Sequence, residues 1–199
     1  PALGLAGPGI YRELWEACSD AVLLSVREPD HIDRTFPEAV VRPGLDPGNW
    51  GARSNYPALG IVQTSPAEMS VYVNRHYGQP TSHIERFTYR LDGFASLHAG
   101  HEGGEMVTKP LVFEGSELEI NASTTAAGSL RVELQDADGT AIEGFALEDC
   151  EPFLADRIEH VVKWKGGDLS VVAGKPVRVR FVLKEADVFS YRFRESRKD

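Results

Sequence analysis

The chain has 199 residues, with 21 Lys+Arg against 30 Asp+Glu, a formal net charge of -9 and 42% hydrophobic residues, enough for one large domain or two small ones. The acidic balance argues against nucleic acid as a partner, because phosphate contacts need clustered cations. No apolar run approaches the roughly 18–20 residues that span a bilayer as a helix, and two cysteines exclude a disulfide-rich scaffold.

Helical periodicity is confined to residues 10–17, where Ile10, Leu14 and Ala17 recur at i, i+4 and i+7; this spacing predicts one or two turns. Beyond it the chain reads as short β-runs between turn formers. Residues 21–26 form a strand closed by Glu28-Pro29-Asp30, and residues 35–41 a second, which Pro37 places at an edge or bulge. Arg42-Pro43-Gly44-Leu45-Asp46-Pro47-Gly48-Asn49-Trp50 is a loop rich in turn residues. Residues 58–63 and 69–74 pair as a hairpin around 64–68, and residues 84–91 alternate apolar and polar.

Strands are denser in the second half: 94–98, 105–108, 111–113, 117–122, 128–135, 140–143, 159–163, 176–183 and 188–193. Asp136-Ala137-Asp138-Gly139 carries the strongest hairpin signal, an Asp-Gly corner between alternating runs. Over residues 177–183 the apolar side chains point one way and arginines the other, one face buried and one solvated. Many short strands with polar turns predict an all-β chain, an antiparallel, jelly-roll-like β-sandwich preceded by further hairpins. Residues 1–92 contain no lysine and their eight cations are all arginine. This composition shift suggests two units, 1–92 and 93–199.

Few residues nominate chemistry. Asp136-Ala137-Asp138-Gly139 has the opening of a calcium loop but lacks its later ligands. His98, His101, Glu102 and Glu105 do not follow an established zinc spacing and read as a polar loop. Glu148-Asp149-Cys150-Glu151 reads as a solvated acidic loop, whose field holds Cys150 as a thiol. Both Cys18 and Cys150 read as buried free thiols. No nucleophile elbow, zinc-protease motif, phosphate loop or dinucleotide fingerprint is present. No catalytic residue, metal or cofactor is therefore expected. The suggestive residues are polar and aromatic: Trp50, Asn55, Tyr56, Asn74, Arg75, His76 and Tyr77. Aromatic faces stack on sugar rings while Asn, Arg and His bond hydroxyls, so carbohydrate is the candidate ligand. Packing between sheets is the rival reading of the same residues.

The runs Asp33-Arg34-Thr35-Phe36, Arg42 to Trp50, Asn55-Tyr56-Pro57-Ala58-Leu59-Gly60 and Asn74-Arg75-His76-Tyr77-Gly78 resemble the C-terminal part of bacterial glycosyl-hydrolase-like five-bladed β-propeller proteins, related to glycoside hydrolase families 32 and 43. Residues 90–97, 103–111, 144–150 and 164–167 resemble the β-sandwich appended to such propellers. The turn at Glu28-Pro29-Asp30 departs from the family's Asp-Gly turn. The resemblance implies propeller-derived strands over 1–92 and a sandwich over 93–199. It also implies a chain that starts after the blades carrying the catalytic carboxylates, so no catalytic residue carries over. The expected function is a non-catalytic module of a secreted or periplasmic carbohydrate-active protein, structural or weakly glycan-binding. Two alternatives stand beside it. One is a self-contained glycoside hydrolase using Asp46, Glu68 or the 148–151 acids. The other is a structural module that self-associates through exposed strand edges.

Overall fold

A computed structural model of the chain describes residues 17–51 and 53–197. Among these there is no α-helix, only antiparallel strands and two short 3-10 turns, Pro47–Trp50 and Leu169–Val171. All but the last residue of the helix expected at 10–17 lies outside the described residues. The chain divides into two compact units, residues 1–91 and 92–199.

In the first unit, β1 (Ala21–Val22) pairs with β4 (Ala39–Val41), and β2 (Ser25–Glu28) with β3 (His31–Asp33). The strand expected over 21–26 is thus two, interrupted at Leu23-Leu24, and that over 35–41 is reduced to its last three residues. Pro37 explains the second loss, since it has no N–H to give to a ladder. The main sheet of this unit has β7 (Glu68–Arg75) at its centre. Along one side runs β8 (His83–Arg90), in register from Glu68↔Arg90 to Arg75↔His83. The other side is shared by β6 (Val62–Ser65) and β5 (Tyr56–Pro57). β6 and β7 form the expected hairpin, but the first strand is Val62–Ser65 instead of 58–63 and the turn closes at Ser65↔Glu68. Alternation along β7 buries Val71, Val73 and Arg75 on one face and leaves Tyr72 on the other.

The second unit holds one five-stranded antiparallel sheet: β9 (Leu97–Ala99), β10 (Gly104–Val107), β11 (Glu117–Asp136), β12 (Asp156–Val161) and β13 (Val177–Arg194). β11 and β13 pair from Glu117↔Arg194 to Asp136↔Val177; β12 lies outside β11, and β9 and β10 lie outside β13. Four expected strands are therefore two long ones. The interruptions in the sequence pattern are bulges, not turns. Between Thr124 and Ser129, β11 carries residues 125–128 opposite the single residue Glu185, whose φ is 42°. A second register shift falls between Asn121 and Ala122, which pair with Ser190 and Val188. Each bulge flips the parity of β13. Val177, Val179, Phe181 and Leu183 face the core, then Ala186 and Val188, then Tyr191 and Phe193. One face stays apolar along the whole strand because the bulges absorb the changes in sequence phase.

Phe145, Phe153, Val162, Trp164 and Leu169, from the segment between β11 and β13, join this core. Trp164 donates its Nε1–H to the Val132 carbonyl at 2.8 Å, which satisfies the only polar group of its ring. On the opposite face of β11 and β13 the arginines meet carboxylates, as the alternation over 177–183 implies. Arg180 bonds Glu105 and Glu133, while Arg192 and Arg194 each donate an Nε–H to Glu119 at 2.7 Å. Glu119 is only 4% exposed, so charge-assisted bonds replace the water it has lost. At the Asp-Gly hairpin, Gly139 takes φ 93° and Asp136 Oδ1 accepts from the backbone N–H groups of Asp138 and Thr140. The strand expected at 140–143 is reduced to one bridge, Gln135↔Ala141.

Gly128 is fixed by the bulge. A Cβ there would sit 2.4 Å from the Glu185 carbonyl oxygen and 2.8 Å from that of Lys184. Because both obstacles are backbone, Gly128→Ala is expected to destabilise the second unit by about 1–3 kcal/mol, read as a lower urea midpoint with an unchanged m-value. An unshifted midpoint contradicts the assignment of the bulge.

Candidate functional site

The polar residues that the sequence nominates converge in the first unit, but most are turned inward. Asn55 is fully buried, in the left-handed region at φ 69°, which Asn tolerates better than most residues. Its Nδ2 donates to the carbonyls of Ser19 (2.7 Å) and Asn49 (2.9 Å), and its Oδ1 accepts from Arg75 Nη1. Arg75, 6% exposed, also donates to the Arg42 carbonyl at 3.2 Å and to Glu85 Oε2 at 2.7 Å. Its guanidinium lies 4.8 Å from the centre of the Phe87 ring. Two side chains thereby tie down three backbone segments: the one at Ser19, the loop entry at Arg42, and the loop exit at Asn49.

His76 forms a second tie. Its ring nitrogens reach Asp46 Oδ2 at 2.9 Å and Thr81 Oγ1 at 2.8 Å. Gly48 sits against the imidazole so closely that a Cβ there would lie 2.6 Å from ring atoms. Asp46 caps the 3-10 turn through the Gly48 N–H at 2.9 Å. That backbone bond, and then the one from His76, hold its carboxyl below the usual range. Tyr77 donates its backbone N–H to Ser54 Oγ at 3.1 Å and carries the Arg53 guanidinium over its ring at 5.7 Å. Asn74 pairs with Tyr56 across the sheet.

What these ties hold is a cleft of about 730 Å³, whose walls include Cys18, Ser19, Asp20, Arg42, Pro43 and Trp50. Trp50 donates its Nε1–H to the Gly44 carbonyl at 2.9 Å, yet 56% of the residue is exposed. Its polar edge is fixed and its apolar surface is open. Of the seven nominated residues, only Trp50 lines this cleft. Tyr56 is exposed on the face of the β5–β7–β8 sheet, and Asn55, Arg75 and His76 position the walls. Sequence reading missed Ser19 and Arg42. The Asp46-Pro47-Gly48 turn was a local sign of the cap, but nothing local links Ser19 to Asn55.

The other candidate clusters do not converge. His98 and His101 pair separately with Asp187 (3.1 Å) and Glu185 (3.2 Å). Among the described residues no three His, Cys, Asp or Glu side chains are placed to hold a metal ion. Asp149 pairs with Lys165 at 3.3 Å, and burial raises the pKa of the Cys150 thiol. Both cysteines are free, but Cys18 is exposed at the cleft, a correction to the buried pair expected from composition. No family model, curated protein or solved structure matches the chain.

Asn55→Ala removes the partner of a buried guanidinium and of two backbone carbonyls, and puts a Cβ without a compensating polar group in the left-handed region. It is expected to destabilise the first unit by about 3 kcal/mol. Tyr56→Ala, on the exposed face, is expected to change stability by less than about 1 kcal/mol. Equal effects in urea unfolding contradict the assignment of Asn55 as the tie.

Proposed function

We propose that this chain is a non-catalytic module of a secreted carbohydrate-active protein and that it holds saccharide in the Trp50 cleft. The observation that carries the reading is Trp50 itself: an indole anchored through Nε1–H to Gly44 while more than half of the residue faces solvent. A fixed aromatic surface beside hydroxyl-bonding groups suits the C–H face of a sugar ring. Ser19, Asp20 and Arg42 supply such groups on the same cleft. Two fixed walls also reduce the ordering cost of binding. The resemblance of the Arg42–Trp50 and Asn74–Gly78 runs to glycoside hydrolase family 32 and 43 propellers points the same way. The finer reading of the fold, propeller-derived hairpins followed by a jelly-roll-like sandwich, belongs to this proposal and rests on that resemblance.

A hydrolase is the weaker reading because three of the acids it would use are held by separate partners. Asp46 is held by Gly48 and His76, Glu68 by Thr64, and Asp149 by Lys165. Affinity electrophoresis of the full chain in gels cast with soluble polysaccharides tests the choice. Retardation is expected for the native chain, with at least tenfold weaker binding for Trp50→Ala and no change for Tyr56→Ala. Retardation that survives Trp50→Ala, or release of reducing sugar by the native chain, contradicts the proposal.

A further inference from the structure

The cleft carries a cation that has no counter-ion among the described residues. Arg42 lies on its wall. The Arg42 Nε–H is spent on the Ala39 carbonyl at 3.2 Å, and the Arg42 carbonyl is held by Arg75. This fixes the base of the guanidinium, and among the described residues its two Nη groups meet no acceptor. Among the described residues no carboxylate, Asp20 included, lies within ion-pair distance of it. Most arginines whose contacts bear on these sheets pair with acids, although Arg131 and Arg178 donate to backbone carbonyls. Arg75, Arg86, Arg180, Arg192, Arg194 and Arg197 each pair with a glutamate. What distinguishes Arg42 is its place: it shares the cleft wall with a half-exposed tryptophan in a chain of net charge -9.

Resting on the saccharide reading above, we infer that the ligand of the Trp50 cleft is an anionic saccharide, with its acidic substituent received by the Nη groups of Arg42 while Trp50 takes the ring face. A guanidinium presents two parallel N–H donors that match a carboxylate or sulfate. The bond is charge-assisted, and the walls that carry Arg42 and Trp50 are already joined through Arg75 and Asn55. Asp20 disfavours a ligand charged all round. It favours one whose single acidic group points to Arg42 and whose hydroxyls face Asp20 and Ser19.

The test is calorimetric titration of the full chain with uronate oligosaccharides, each paired with its neutral methyl ester, and with sulfated oligosaccharides paired with their desulfated forms. The acidic member of one series is expected to bind roughly tenfold more tightly than its neutral partner, with the difference shrinking as salt is raised. Which series shows the difference tells carboxylate from sulfate. Arg42→Gln is expected to abolish the preference, so that the acidic and neutral members bind alike. Trp50→Ala is expected to weaken both. Equal binding of acidic and neutral partners by the native chain, or a preference that survives Arg42→Gln, overturns the inference and leaves the saccharide reading standing. Absence of binding by any saccharide overturns both.

Discussion

The first unit depends on the contact between the Arg75 guanidinium and the Asn55 amide. Its strands are short, and two of its three sheets have only two strands each, too few to be stable alone. Among its described residues the buried hydrophobics are Val41, Met69, Val71 and Val73. Polar side chains take over the work of fixing the loops. Arg75 brings a charge into the interior and surrounds it with Asn55, Glu85, the Arg42 carbonyl and the Phe87 ring. A buried charge so surrounded specifies one arrangement, because any other leaves it unpaired.

The second unit solves the same problem by other means. It has one continuous core, built on two strands of 20 and 18 residues, β11 and β13. Its charged network, Glu119 with Arg192 and Arg194 and Glu133 with Arg180, covers the face away from that core. There the polar groups close over an apolar structure; in the first unit they substitute for one. This contrast also explains why the cleft is found where it is. A loop held by directional bonds can leave a tryptophan half exposed, whereas Trp164 in the apolar core is buried to its ring nitrogen.

The sequence made much of the β-structure legible. The hairpin at 64–68, the alternation along 177–183 and the Asp-Gly corner at 138–139 were all readable, because each depends on neighbours within a few residues. The change in lysine usage near residue 92 falls beside the division at 91 and 92. The continuity of β11 and β13 was not readable. A bulge and a turn both interrupt a period of two, and Gly128 or Glu185 serves either. At the cleft, residue type did not reveal the roles. Asn55, Arg75 and His76 are the kinds of residue that bond hydroxyls, and here they bond backbone and one another across 20 to 36 positions of sequence. Only burial separates the two uses, and burial is set by contacts that no local pattern encodes.

The central claim is that Arg75 and Asn55 hold the loop that presents Trp50. Amide and indole hydrogen exchange followed by NMR tests it, with the Trp164 indole N–H as an internal reference in the second unit. In the native chain both indole protons should exchange slowly, through their bonds to Gly44 and Val132. In Arg75→Met the Trp50 indole proton should exchange at least tenfold faster while that of Trp164 is unchanged. A Trp50 proton that stays protected in the variant would show that the loop stands without the tie, and contradict the account.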